Sequence, residues 1–166
     1  MADHMTPQQR HRCMSRIGSK DTQPELLVRR WLWRQGFRYR LHDKRLPGTP
    51  DIVMHQFRTV IFVNGCFWHG HDCEHFRLPT TNTEFWRKKI DNNRRRDRLN
   101  RGMLKYAGWH VLTVWECQLT KATRQATLQQ LSAQLSTIIL DHFQPRPATK
   151  PSPYTIGDTT SLAAEP

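Results

Sequence analysis

The chain has 166 residues, enough for one domain with a substantial buried core. Lys and Arg number 26 against 14 Asp and Glu, and with a pI near 10.3 that excess points to a polyanionic partner, nucleic acid ahead of an anionic membrane. No apolar run approaches the ~20 residues that span a bilayer, and the N-terminus lacks the apolar segment of a secretory signal. These features predict a soluble, cytoplasmic protein.

In chain order, residues 7–18 predict a short basic helix whose apolar side is only Met14 and Ile17, with Cys13 alone and free. Such a helix cannot hold itself folded, so residues 1–20 read as an arm that orders on a partner. Thr22-Gln-Pro-Glu25 has the pattern of a capping box with Pro in the first turn. Leu27, Val28, Trp31 and Leu32 then make one apolar helix stripe, ended by Gly36. Phe37 to Leu41 alternates apolar and polar, as a half-buried strand does. Leu46-Pro-Gly-Thr-Pro50 is a tight loop. Asp51 to Met54 and Phe57 to Val63 are two further strands, the second apolar enough for burial on both faces.

Thr81-Asn-Thr-Glu84 opens a long helix running to Ala107 and stopped by Gly108. Its middle, Asp91 to Arg98, is polar all round and must face solvent or a polar partner. Trp109 to Trp115 is a fourth strand, and Ala122 to His142 is a helix with Leu128, Leu131, Leu135 and Ile138 on one face. From residue 144 the chain is rich in Pro, Thr and Ser and reads as a disordered tail. The sum is an α/β domain over residues 21–143, a mixed sheet with helices packed on it.

The chemistry concentrates in Val60-Ile-Phe-Val-Asn-Gly-Cys-Phe-Trp-His-Gly-His-Asp-Cys73, where a buried strand enters a Gly-rich turn. Cys66, Cys73 and a nearby histidine supply three soft metal ligands, and Cys117, after the fourth strand, can close a tetrahedral, structural zinc site. His71, His69 and His75 all remain open as the imidazole ligand. Asp51 at a strand start and Glu25 in a helix first turn form a carboxylate pair suited to Mg²⁺, although Glu25 is equally explained by the capping box. A histidine left beside the metal, His69, suits proton transfer to or from water. Phe67, Trp68 and Trp86 are large rings next to a polar turn, of the kind that part stacked bases or close over a metal site. Arg87, Lys88, Lys89, Arg94, Arg95, Arg96, Arg98 and Arg101 make a basic face on the long helix, suited to phosphates.

Taken together, these residues resemble the very-short-patch repair endonucleases, a family of bacterial DNA mismatch endonucleases. The resemblance runs over about residues 9–118. It rests on the Pro50-Asp51 strand, on Phe62-x3-Cys66-Phe-Trp-His69-x-His71-x-Cys73, on Thr83-Glu-Phe-Trp86-x2-Lys-Ile90, and on Gly108-Trp-x-Val-x-x-Val-Trp-Glu-Cys117. It implies a restriction-endonuclease-like core and Mg²⁺-dependent nicking of one strand 5′ of the thymine in a T:G mismatch, the product of 5-methylcytosine deamination. Carried onto this sequence, Asp51 and the backbone carbonyl of Val63 hold the magnesium, His69 acts on the attacking water and Glu25 assists. Cys66, His71, Cys73 and Cys117 hold the zinc. Phe67, Trp68 and Trp86 wedge into the DNA, Met14 and Ile17 reach the minor groove, and Lys89 and Asn93 face bases or phosphates. The implied partners are double-stranded DNA carrying the mismatch, mismatch-repair proteins, and functionally a cytosine-C5 DNA methyltransferase. The expected form is a monomer working at the nucleoid.

Two positions depart from the family pattern: Val63 stands where some members have Thr, and Asn64 where His is common. Only the carbonyl of residue 63 is needed for the metal, whereas Asn64 keeps a hydrogen bond and loses proton transfer. The competing readings are a type II-like restriction endonuclease cutting both strands, and a non-catalytic zinc DNA-binding module.

Overall fold

The computed structural model describes Thr6, Gln8, Gln9, Arg12, Gly18 and residues 20–144. Gln8, Gln9 and Arg12 are helical, and Thr6 and Gln9 each accept from the other's backbone N–H, at 3.2 and 2.9 Å, in a capping box at the start of the arm. Cys13, Met14, Ile17 and the tail beyond residue 144 lie outside the described residues.

Helix α1 spans Gln23–Arg34 and ends as expected, with Gly36 at φ +88° and the Phe37 N–H returned to the Leu32 carbonyl. The capping box at its start does not form. Thr22 is the N-cap residue, but its side chain makes no capping hydrogen bond. Glu25 instead falls on the face that carries Arg29, Val28 and Leu32, all of them buried. Spacings of three and four put those four residues on one side, so the helix carries a charged pair into the interior beside its apolar stripe.

Strands β1 (Arg40–Leu41), β2 (Ile52–Met54), β3 (Thr59–Asn64) and β4 (His110–Trp115) form one sheet in that order. The first two pairings are antiparallel and β3 with β4 is parallel. The parallel step needs a long crossover, which is helix α2 (Thr83–Tyr106). Helix α3 (Arg124–Phe143) closes the chain. The mixed sheet is as expected, while two strands are shorter than their sequence pattern. Phe37 to Leu41 pairs only over its last two residues, and Phe37 and Tyr39 still turn inward onto the core. β3 starts at Thr59 because Arg58 takes a left-handed conformation, φ 44°, after a single turn of 3-10 helix at His55–Phe57.

The two faces of the sheet bury different helices. Ile52, Met54 and Ile61 face Val28 and Leu32 of α1 and Leu128, Leu131 and Leu135 of α3. Val53 and Val60, alternate in sequence, face Leu104 of α2. Each fully buried Leu, Ile or Val contributes roughly 1.5–3 kcal/mol. The start of α2 also differs from its sequence pattern: Asn82, at φ 53°, occupies the N-cap and makes no side-chain cap. Of the 24 residues of α2 only Ile90 and Leu104 are buried, and Asn93, Asp97 and Arg101 lie on the same face between them. The polar middle of the helix therefore has a polar partner within the chain, the turn after β3. Among the described residues no helix is long and apolar enough to cross a membrane.

Candidate active site and metal centre

Parallel pairing sets the metal centre. Asn64 at the end of β3 lies opposite Trp115 at the end of β4, and two residues further along each chain stand Cys66 and Cys117. The turn after β3 is closed by hydrogen bonds from the His69 N–H to the Gly65 carbonyl (3.3 Å) and from the His71 N–H to the Cys66 carbonyl (2.9 Å). The Cys66 N–H donates to Glu116 at 3.3 Å, tying the two strand ends together. The ligand atoms of Cys66, His71, Cys73 and Cys117 all lie within 4.8 Å of one another, so the four could hold a metal ion. His71 Nδ1 is 3.7 Å from the Cys66 sulfur and 3.4 Å from that of Cys117. Tetrahedral zinc requires about 3.6 Å between a nitrogen and a sulfur ligand. Of the three histidines that the sequence left open, the geometry selects His71, whose ring stacks on Trp115 at 4.0 Å and 7°. Burial pushes the Cys66 thiol up to about 12 and raises Cys117. Burial also acts to raise Cys73, but the N–H groups of His75 and Phe76 and the two neighbouring thiols hold it below its ordinary value. A cation would resolve that conflict by taking all three as thiolates.

Gly70 lets the turn dock on α2. It sits at φ +57°, and a Cβ there would stand 2.5 Å from Ile90 Cγ2 and 3.1 Å from Arg94 Nε. Gly70→Ala is expected to lower stability by about 1–3 kcal/mol through combined strain and overpacking. It should also displace His69 from Asp97, and thermal melts should show the loss.

On the other side of the turn lies a cavity of about 720 Å³, lined by Asp51, Val63, Asn64, His69 and Asp97 and rimmed by Lys20, Lys44, Arg96 and Arg101. Asp51 reaches it because β2 begins one residue later and runs antiparallel to β3: its Oδ2 accepts the Val63 N–H at 2.7 Å. Oδ1 is left toward the cavity, with His42 Nδ1 3.9 Å away. Burial raises the Asp51 carboxyl above the ordinary carboxylate range. The Glu25 charge adds to that rise, while the Val63 N–H, His42 and Arg29 oppose it. A half-buried carboxylate with one oxygen hydrogen-bonded and its charged form disfavoured is a fitting ligand for a hard divalent cation.

His69 stands opposite, and its Nδ1 is 2.5 Å from Asp97 Oδ2. With an ionised carboxylate as acceptor the proton sits on Nδ1, leaving Nε2 as the acceptor. Sequence reasoning missed Asp97, half-buried in a helix stretch that reads as facing solvent or a polar partner. The available signal was its placement between Ile90 and Leu104 on one helix face. Asn93, on that face too, donates to the Trp68 carbonyl at 2.9 Å and accepts from Arg96 at 3.1 Å. In the free protein its amide therefore braces the turn.

Glu25 does not line that cavity. It is 1% exposed, bonded to the Arg29 guanidinium, and 3.1 Å from His42 Nε2. Between its carboxylate and that of Asp51 stands His42. Phe67, Trp68 and Trp86 pack on one another at ring separations of 5.1, 5.2 and 6.0 Å, each half-buried, with exposed Phe85 against Trp86. The Lys89 ammonium lies 5.3 Å from the rings of both Trp68 and Trp86. Trp68, Asn93 and Arg96 share a second pocket with His69, so the ring cluster and the basic helix adjoin the turn.

A carboxylate and a histidine–aspartate pair face one cavity under a basic rim, the groups that hydrolysis of a phosphate ester requires. Comparison with known proteins gives the family. The family model described as "DNA mismatch endonuclease Vsr" matches residues 2–75. A type II nicking enzyme of Neisseria meningitidis serogroup A is 44% identical over 140 residues, 84% of this chain and 100% of that protein. A type II nicking enzyme of Xanthomonas oryzae pv. oryzae is 47% identical over 72% of this chain and 88% of its own. The DNA mismatch endonuclease Vsr of Escherichia coli K12 is 43% identical over 79% of this chain and 86% of its own. The chain belongs to the Vsr family of DNA endonucleases.

Proposed function

We propose that this protein nicks one strand of duplex DNA 5′ of the thymine in a T:G mismatch, on a restriction-endonuclease-like core, and so initiates very-short-patch repair after 5-methylcytosine deamination. The observation that supports it most is the convergence of Asp51 and the His69–Asp97 pair on one cavity under a basic rim. Asp51 Oδ1 and the Val63 carbonyl would hold Mg²⁺, which supplies positive charge against the phosphodiester and acidity to water. His69 Nε2 takes the proton of the attacking water as its oxygen adds to phosphorus, the P–O3′ bond breaks, and the departing 3′ oxygen takes a proton from solvent water. Asp97 holds the ring in the tautomer this needs and stabilises the imidazolium that forms. Lys20, Lys44, Arg96 and Arg101 offset phosphate charge. Asn64, 6% exposed and lining the same cavity, can hydrogen-bond a phosphate oxygen without transferring a proton.

Zinc at Cys66, His71, Cys73 and Cys117 braces the turn, and with it the Phe67, Trp68 and Trp86 cluster that enters the base stack. Lys89 leaves the rings for the DNA. The arm of residues 1–20, through Met14 and Ile17, reaches the minor groove, residues 21–143 form the nuclease, and residues 144–166 are a tail. One site per chain suits a monomer that cuts one strand. The partners are mismatched DNA in the bacterial cytoplasm and nucleoid, with a cytosine-C5 methyltransferase as functional companion and mismatch-repair proteins as further candidates.

The test is supercoiled plasmid carrying one T:G pair, varied in its flanking bases, with Mg²⁺. The expected product is open circle; linear product would favour a two-strand restriction enzyme, and none would sink the nuclease reading. Asp97→Asn is expected to lower the rate about 10²-fold or more by misorienting the general base. The acid limb of the pH–rate profile should change shape, whereas a purely structural loss would lower the whole profile evenly.

A further inference from the structure

Beside the catalytic cavity, Asp21, Glu25 and His42 bring ligand atoms within 4.8 Å of one another, an arrangement that could take a metal ion. A side chain of the protein already stands among them. Arg29, 7% exposed, donates from Nη1 to Asp21 at 2.5 Å and from Nη2 to Glu25, and Nη2 is 2.7 Å from His42 Nε2. The same His42 Nε2 is 3.1 Å from Glu25, and on the other side of the ring Nδ1 faces Asp51 at 3.9 Å. The arginine makes these contacts with its two terminal nitrogens only. Among the described residues its buried Nε has no hydrogen-bond partner. A site built merely to bury an arginine would satisfy Nε as well. The fit is to a compact positive charge placed among two carboxylates and an imidazole.

We infer that Arg29 is the fixed cation of this cluster, filling the place of a second divalent ion and leaving Asp51 as the carboxylate for a single exchangeable one. Arg29 is thus a positioning residue. It neutralises Glu25, which has no access to solvent, and it orients His42 behind Asp51. The Arg29 charge also opposes the burial that raises the Asp51 carboxyl. Arg29 does not touch the reacting atoms. The arrangement rests on the proposed role of Asp51 in metal binding, but the two ideas separate in the test.

The test is Mn²⁺ titration of the full-length, zinc-loaded protein without DNA, counting bound ions by electron paramagnetic resonance. Wild type should hold about one Mn²⁺ per chain and Asp51→Asn none, while Arg29→Gln should hold about two. The ion gained should survive in the Arg29→Gln, Asp51→Asn double variant and vanish when Glu25→Gln is added. Arg29→Lys, which keeps a fixed charge, should gain none. Mn²⁺ should also raise the melting temperature of Arg29→Gln more than that of wild type. The inference is overturned if folded Arg29→Gln gains no ion, or if wild type holds an ion that survives Asp51→Asn and is lost in Glu25→Gln. That second comparison decides the matter even where Arg29→Gln fails to fold. If wild type binds no ion but Arg29→Gln gains one, the metal reading of Asp51 fails and the role of Arg29 stands.

Discussion

Asp51→Asn is expected to abolish nicking, by about 10³-fold or more, and at the same time to raise the melting temperature of the Mg²⁺-free protein at neutral pH. Both effects come from one fact: burial raises the Asp51 carboxyl. A carboxyl whose folded value lies above its unfolded value favours folding while protonated. That contribution is present below the ordinary aspartate range and is lost as pH rises through the raised value. At neutral pH the ionised group is therefore a cost to the fold, one that a divalent cation offsets and asparagine removes. Catalysis needs the opposite state, since the proton competes with the metal. The acid limb of nicking should sit above the ordinary aspartate range and should move to lower pH as Mg²⁺ is raised. An Asp51→Asn variant that melts lower than wild type and still nicks would remove Asp51 from the centre of the site.

Cys117→Ala carries the second large effect. Cys117, just past the end of β4, is the member of the four-residue cluster that comes from outside the turn after β3, and its sulfur is 3.4 Å from His71 Nδ1. Its loss should empty the metal centre and cost several kcal/mol, because the energy of binding a structural zinc is also energy of folding. The sheet and its two helix layers have their own core and should persist, so circular dichroism should change little. Zinc content should fall to near zero, and nicking should fall with it as His69 and the ring cluster lose their brace. Unchanged zinc content and melting temperature would mean that the three thiols are only reduced, buried cysteines.

The parts of this site legible in the sequence are those whose chemistry is local. Cys66, His71 and Cys73 lie within one turn, and Cys117 follows a strand whose apolar pattern announced it. The order of strands and helices followed from periodicity, and Gly36 and Gly108 ended their helices where expected. The parts that were not legible depend on long-range pairing. Asp97 matters because α2 lays that position against His69, and no local pattern says so. Asp97 reads as one more charge in a polar helix until Ile90 and Leu104 are known to be buried.

The Thr22 to Glu25 spacing misled for the reverse reason. It is a strong local signal, but Glu25 lies on the same face as Val28 and Leu32, and the buried Arg29 takes its carboxylate inward. His42 was unremarked because only the fold carries it between Glu25 and Asp51. The aromatic residues were legible as a group but not as an arrangement. Their rings rest on one another with Lys89 above, so a wedge into DNA must first open this cluster.

The most direct measurement uses a short duplex with one T:G pair, each strand carrying its own label, incubated with Mg²⁺ and either wild type or Asp51→Asn. The account predicts a single cut in the T strand, immediately 5′ of the mismatched thymine, with wild type only, and no cut when the pair is restored to C:G. Cuts in both strands, equal cutting of the matched duplex, or the same cut by Asp51→Asn would contradict it.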